Sequence, residues 1–225
     1  MADAVIVART RSPIGRAFKG SLKDLRPDDL TATIVRAALD KVPQLYPSDV
    51  DDLMLGCGLP GGEAGFNMAR VAAVLLGYDH LPGTTLTRYC ASSLQTTRMA
   101  MHAVKAGEGE VFISAGVETV SRHVNGSSDS PPDTMNPLFG DARAHTATAA
   151  KGGAEGWHDP REDGMLPDAY IAMGLTERRQ GTRTRDHPAR PDRCHRGERT
   201  VAGNYGPRPC RGEQAGVAAG RHDHL

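Results

Sequence analysis

The chain has 225 residues, 27 basic and 27 acidic, so its formal net charge is zero; 39% of residues are hydrophobic and 4% aromatic. That balance argues against a dedicated nucleic-acid or anionic-membrane binder, whose footprint is a basic excess. No apolar run approaches the ~18 residues of a membrane span, the first residues lack the charged and apolar regions of a signal peptide, and cysteines at 57, 90, 194 and 210 form no disulfide framework.

In chain order, hydrophobic periodicity alternates between strand and helix. Residues 4–8, Ala-Val-Ile-Val-Ala, predict a short buried strand. Pro27 and Asp28 open a helix over 28–42, with Leu30, Ile34, Ala38 and Val42 on one face. Leu53–Leu55 reads as a second strand running into the glycine cluster 56–65. Residues 67–76 predict a helix closed by Gly77, and 84–89 a strand rich in β-branched residues. Residues 91–106 predict a helix closed by Gly107, and 111–115 a fourth strand. Such alternation implies an α/β layer with right-handed crossovers. From 125 to 167 the chain turns to Gly, Ser, Pro, Asp and Ala with little period, as functional or mobile loops do.

Composition changes abruptly near residue 177. Residues 1–176 carry a net charge of −5, whereas 177–225 hold 11 arginines against 6 acids, with no lysine, serine or isoleucine. Only 11 of those 49 residues are apolar. Such a segment buries too little surface to offset its ordering entropy, so disorder is the expectation.

Cys90, in Leu86-Thr87-Arg88-Tyr89-Cys90-Ala91-Ser92-Ser93-Leu94-Gln95, falls at the junction of the third strand and third helix. At a helix N-terminus, backbone N–H groups and the macrodipole favour the thiolate, which can attack a thioester carbonyl. The bland alternative is a buried cysteine packed as a small hydrophobe.

Cys90-Ala91-Ser92-Ser93-Leu94-Gln95 resembles the acyl-enzyme signature of the thiolases, the acetyl-CoA acyltransferases, with Ser93 where the family usually has glycine. Other segments resemble that family in the same order. They are Arg11-Ser12-Pro13-Ile14-Gly15, then Gly56–Gly61 with Asn67-Met68-Ala69-Arg70, then Ala115-Gly116-Val117-Glu118-Thr119-Val120-Ser121-Arg122, then Met173-Gly174-Leu175-Thr176. The resemblance implies an α/β thiolase-like N-terminal half, a mixed sheet with helices on both faces, over 1–122. The start of an inserted loop domain over 123–176 and a non-homologous tail over 177–225 follow. It implies that Cys90 accepts an acyl group from a 3-ketoacyl-CoA or acetyl-CoA, which a second coenzyme A thiol or an acetyl-CoA carbanion then removes. Met173 would line the substrate pocket. Coenzyme A thioesters would be small-molecule substrates, with no resident cofactor or metal and no nucleic-acid or membrane partner. A complete chain of the family would form a homodimer or homotetramer, and the scattered cysteines predict a reducing, cytoplasmic compartment.

The family also uses a histidine in Gly-His-Pro and a second cysteine in Cys-x-Gly, both from its second half. Here Asp186-His187-Pro188 lacks the glycine, and Cys210-Arg211-Gly212 lacks an apolar strand context. The resemblance therefore predicts a truncated, weakly active or inactive acyltransferase. The alternative is a non-catalytic half-thiolase that is unstable or docks on a complete subunit. Codons can be chosen for Glu177–Arg193, many of them GC-rich, that read one base later give a run resembling the helix thiolases place after Met-Gly-x-Thr. This predicts a frameshift near codon 177. Sequencing the coding DNA across Met173–Arg185 tests it: an opened frame reaching Gly-His-Pro is the expected result, and an unchanged frame refutes it.

Three rival readings rest on less. Gly56-Cys57-Gly58-Leu59-Pro60-Gly61 matches the dinucleotide pattern G-x-G-x-x-G, but follows the second strand and carries a restrictive proline. Cys194-His195, Cys210 and His222-Asp223-His224 fit no ordinary zinc spacing. The tail arginines could attract RNA electrostatically, yet Tyr205 is their only aromatic companion.

Overall fold

The computed structural model describes residues 3–151 and 159–175, together with the backbone of 215–221. The chain divides into two compact units, residues 1–131 with 208–225, and residues 132–207.

The first unit is built on a five-stranded sheet. Its strands are β1 (Asp3–Thr10), β2 (Asp52–Gly56), β3 (Gly83–Leu86), β4 (Val111–Gly116) and β5 (Ala215–Arg221), in the order β1-β5-β4-β2-β3. β2 pairs in parallel with β3 and with β4, whereas β5 runs antiparallel to both β4 and β1. Helices α1 (Pro27–Leu39), α2 (Met68–Leu75) and α3 (Ser92–Ala106) complete the layers.

Strand alternation sorts the core into two faces. Leu53, Leu55, Ile113 and Ala115 pack with Val35, Ala38 and Leu39 of α1 and with Met68, Ala69, Ala72 and Ala73 of α2. Met54 and Phe112 point the other way, onto Ala100, Ala103 and Val104 of α3. A strand covered on both faces has no polar side to present, which is why Leu53–Leu55 reads as an uninterrupted apolar run.

Two sequence expectations shift in detail. The buried stripe of α1 is Thr31, Val35, Ala38 and Leu39, with Leu30 and Ile34 only flanking it; Val42 lies beyond the helix end. The expected buried first strand is an edge strand, with Ile6 66% exposed and Ala8 buried, because only β5 flanks it. Gly77 and Gly107 close α2 and α3 with φ of 80° and 77°, as the sequence predicts.

The tail composition predicts no ordered element, yet Ala215–Arg221 forms β5. The backbones of β1 and β4 each offer it a ladder of hydrogen bonds, and strand pairing needs no apolar side chains. The rest of the tail, including His187, Cys194, His195, Cys210 and His222–His224, lies outside the described residues.

In the second unit, Gly140–Lys151 is a helix (α4) where the sequence predicts an irregular loop. Its apolar residues are nearly all alanine, so intrinsic propensity rather than an amphipathic stripe forms it, and only Ala142 and Thr146 are buried. Phe139 meets Tyr170 edge-on with centroids 5.4 Å apart, and the Tyr170 hydroxyl accepts the Asn136 N–H at 3.0 Å. No described helix is long and apolar enough to cross a membrane.

An ion network ties the start of α1 to the segment after β4. Arg122 grips Glu63 through two hydrogen bonds of 2.5 and 2.7 Å, and Arg26 bridges Glu63 and Asp28. Hydrogen bonds from Arg122 hold the Glu63 carboxyl below its ordinary pKa, against the opposing effect of burial. Burial pushes Asp28 up, but hydrogen bonds from Arg26 and the Asp29 backbone outweigh it and leave Asp28 lowered. A carboxyl with a lowered folded pKa contributes stability that is complete at neutral pH and lost as acid protonates it. Glu63→Gln is therefore expected to lower the urea midpoint at pH 7, and to flatten the fall in stability below pH 4.5, the ordinary glutamate value. Urea titrations between neutral and acid pH check this; parallel pH profiles for the two proteins would refute it.

Candidate active site

The carboxyl ends of parallel strands are where open α/β sheets gather their ligands. Here β2 and β4 both end in glycine, Gly56 and Gly116, side by side in register. A Cβ on Gly56 would lie 2.6 Å from the Ser92 carbonyl carbon and 2.7 Å from the Ser93 nitrogen. One on Gly116 would lie 2.6 Å from the Ser93 Cβ. The first turn of α3 therefore rests directly on two strand ends, at a distance only glycine permits.

Buried hydroxyls fasten the helix there. Ser114 Oγ lies 2.8 Å from Thr96 Oγ1 and 2.9 Å from Thr97 Oγ1, and both threonines donate to the Ser93 carbonyl.

Cys90 precedes α3 in the short 3-10 turn Tyr89–Ala91, and it is exposed. The predicted strand 84–89 stops at Leu86 because the chain must turn here. Tyr89 takes φ 47°, a left-handed conformation that a tyrosine rarely adopts. Ser92 Oγ supports this turn by accepting the Arg88 N–H at 2.8 Å and donating to the Tyr89 carbonyl at 2.6 Å. The Arg88 guanidinium also bonds the Gln95 side chain one helical turn on. The bland reading of Cys90 as a packed core residue does not hold, because the residue is exposed. Among the described residues, Cys57 is the cysteine that packs in the core, 2% exposed.

The glycine cluster after β2 is filled by protein. A Cβ on Gly61 would meet the Ser128 nitrogen at 2.3 Å, and one on Gly58 would meet Glu118 Oε2 at 2.6 Å. The loop leads into a 3-10 turn at Gly62–Ala64, and α2 starts only at Met68, so no phosphate-ready helix follows the glycines directly. These glycines serve close packing against neighbouring segments rather than a dinucleotide.

A cleft of about 380 Å³ opens between Ser12–Ala17 and Glu118–Ser121, lined also by Leu22 and Leu30; Cys90 does not line it. Met173 belongs to the second unit and is 74% exposed. No group of three or more histidine, cysteine or acidic side chains among the described residues could hold a metal ion.

The residues that steady the Cys90 turn, Thr87, Ser92, Gly58 and Glu118, had no role in the sequence reading beyond their place in motifs. The one local signal was the pair of glycines ending two predicted strands.

Residues 4–180 match the family described as "Thiolase, N-terminal domain". The chain belongs to the thiolase family. It is 43% identical over 131 residues to the beta-ketoadipyl-CoA thiolase of Pseudomonas knackmussii, a stretch covering 57% of this chain and 32% of that protein. It is 41% identical over 123 residues to the 3-ketoacyl-CoA thiolase of Bacillus subtilis, covering 54% of this chain and 31% of that one. Among solved structures, the acetyl-CoA acetyltransferase of Bacillus anthracis matches with a TM-score of 0.50 and 34% identity, over 54% of this chain and 30% of that chain. The match thus spans about a third of the length of these thiolases. The α/β sheet with helices on both faces is the thiolase fold the motifs imply.

Proposed function

We propose that this chain carries the acyl-accepting site of a thiolase-type acyltransferase, with Cys90 as the nucleophile. One observation carries the reading. Cys90 is exposed on a turn at the N-terminus of α3, whose first residues rest on the carboxyl ends of two parallel strands of a thiolase-family domain.

In the first half-reaction, Cys90 Sγ bonds either to the 3-keto carbon of a 3-ketoacyl-CoA while the C2–C3 bond breaks, or to the carbonyl carbon of acetyl-CoA while its bond to the coenzyme A sulfur breaks. The thiol proton ends on C2 of the departing acetyl-CoA in the first case and on the departing coenzyme A thiol in the second. In the second, a coenzyme A thiol or the carbanion of acetyl-CoA takes the acyl group and the cysteine thiol is restored. The thiol acceptor completes 3-ketoacyl-CoA cleavage, and the carbanion forms acetoacetyl-CoA. Neither step requires a resident cofactor or metal. Met173 lines the substrate pocket, and the working assembly is a cytoplasmic homodimer or homotetramer in fatty-acid metabolism. The names of the relatives, thiolases of 3-ketoacyl-CoA and beta-ketoadipyl-CoA, support this substrate class.

Incubation with acetyl-CoA is expected to add one acetyl group to the Cys90 peptide, seen by mass spectrometry and absent in Cys90→Ala. Label on another residue, or none, overturns the assignment.

A second reading, a non-catalytic subunit that docks on another thiolase chain, is favoured by large apolar side chains left in solvent. Phe66 is 94% exposed, Leu94 71%, Val74 50% and Leu75 48%. Where such side chains adjoin, as Val74 and Leu75 do at the end of α2, they mark interaction surfaces. The isolated chain is then expected to bind ANS and to melt with low cooperativity. A sharp, reversible melt without ANS binding refutes that reading.

A further inference from the structure

Tyr89 adopts its left-handed conformation with a side chain that is 71% exposed, so packing of its own ring does not hold it there. Strained backbone persists only where the surroundings over-determine it. On the helix side, Ser92 supplies two hydrogen bonds. The opposite side is supplied from a distance. The Tyr89 N–H reaches Thr87 Oγ1 at 3.3 Å, and the same hydroxyl donates to the Gly58 carbonyl at 2.8 Å. Gly58 is fixed in turn by Glu118, whose Oε2 accepts the Gly58 N–H at 2.6 Å.

Glu118 is well placed for this. Its other oxygen, Oε1, lies 3.3 Å from His123 Nε2 and 3.9 Å from Cys57 Sγ, so both carboxylate oxygens are engaged. A charged acceptor makes the stronger kind of hydrogen bond to a backbone N–H. Residue 58 has to be glycine for the carboxylate to come so close, and the place of its absent Cβ lies 3.8 Å from the Tyr89 carbonyl carbon. The carboxylate after β4 thus sets the position of the loop after β2, and that loop sets the turn bearing the thiol.

We infer that Glu118 is a positioning residue for Cys90, acting through Gly58 and the Thr87 hydroxyl to aim the thiol for acyl transfer. The inference rests on the reading of Cys90 as the acyl acceptor. Glu118 touches no reacting atom. Its effect is on orientation, and a misplacement of about 1 Å can cost on the order of 100-fold in rate. Saturation with the thioester should be unaffected, because the path reaches only the backbone of Tyr89, the residue before the nucleophile.

The test compares wild type, Glu118→Gln, Thr87→Val and Thr87→Ser in the full chain. Two rates are read at the Cys90 peptide: acetylation across a range of acetyl-CoA concentrations, and alkylation by iodoacetamide, a small reagent tolerant of approach angle. Glu118→Gln and Thr87→Val are expected to lower the maximal acetylation rate roughly 10- to 100-fold, at unchanged half-saturation and unchanged alkylation. Thr87→Ser, which keeps the hydroxyl, should acetylate like wild type. Thr87 is exposed, so its valine variant is expected to fold even if Glu118→Gln does not. Acetylation at the wild-type rate in Thr87→Val overturns the positioning path while leaving Cys90 as acceptor. Parallel losses of acetylation and alkylation also overturn it, because they indicate a general structural defect. A wild-type Cys90 that is alkylated but never acetylated removes the acceptor reading, and this inference with it.

Discussion

Gly56→Val is expected to displace the first turn of α3 and disable Cys90 as an acyl acceptor, with a loss of stability of about 1–3 kcal/mol or more. The contacts that decide this are backbone atoms of Ser92 and Ser93, 2.6 and 2.7 Å from the smallest possible side chain. A flexible side chain could swing away, but a helix backbone pinned by the Thr96, Thr97 and Ser114 hydroxyls cannot. Either β2 shifts or the helix start lifts off both strand ends. The check is a urea denaturation curve together with acetylation of the Cys90 peptide. Wild-type values in both would show that the glycine is not required there. Gly140→Ala is the control. No atom lies within 4 Å of its Cβ position, and it begins a helix with an ordinary backbone, so it should be neutral or stabilising by about 0.4–1 kcal/mol.

Leu53→Ala is expected to cost about 2–5 kcal/mol, the range for truncating a fully buried leucine. Leu53 has no solvent exposure and sits on β2, an interior strand between β4 and β3, where it packs toward α1 and α2. Removing its isobutyl group leaves a cavity that the two flanking parallel strands keep from collapsing. Met54→Ala, on the opposite face against α3, should cost less, because Met54 is 6% exposed and faces a smaller cluster. Urea midpoints of the two variants measure the order, and an equal or reversed order would contradict the two-faced core.

The motif order from Arg11 to Thr176, read in the sequence, identified the family, and the match over 4–180 agrees with it. Periodicity also found α1, α2, α3 and β1–β4, because each carries a local apolar pattern or a closing glycine. It missed α4, whose alanines leave no stripe to detect, and it gave no reason to expect β5 in an arginine-rich tail. Pattern reading cannot see such elements, since propensity and backbone pairing leave little trace in hydrophobic spacing.

Cys90 was legible as a candidate from its own neighbourhood, at a predicted strand-to-helix junction. Its support was not. Glu118 lies sixty residues from Gly58 in sequence, and Thr87 twenty-nine, and only the parallel pairing of β2 with both β4 and β3 brings the three segments together. Local sequence by itself determined β1–β4, α1–α3, the family and the nucleophile candidate, because those depend on neighbours in the chain. The tertiary structure alone decided which glycines must stay bare, which cysteine is buried and which carboxylate holds the turn, because these are contacts between strand ends that no local pattern encodes.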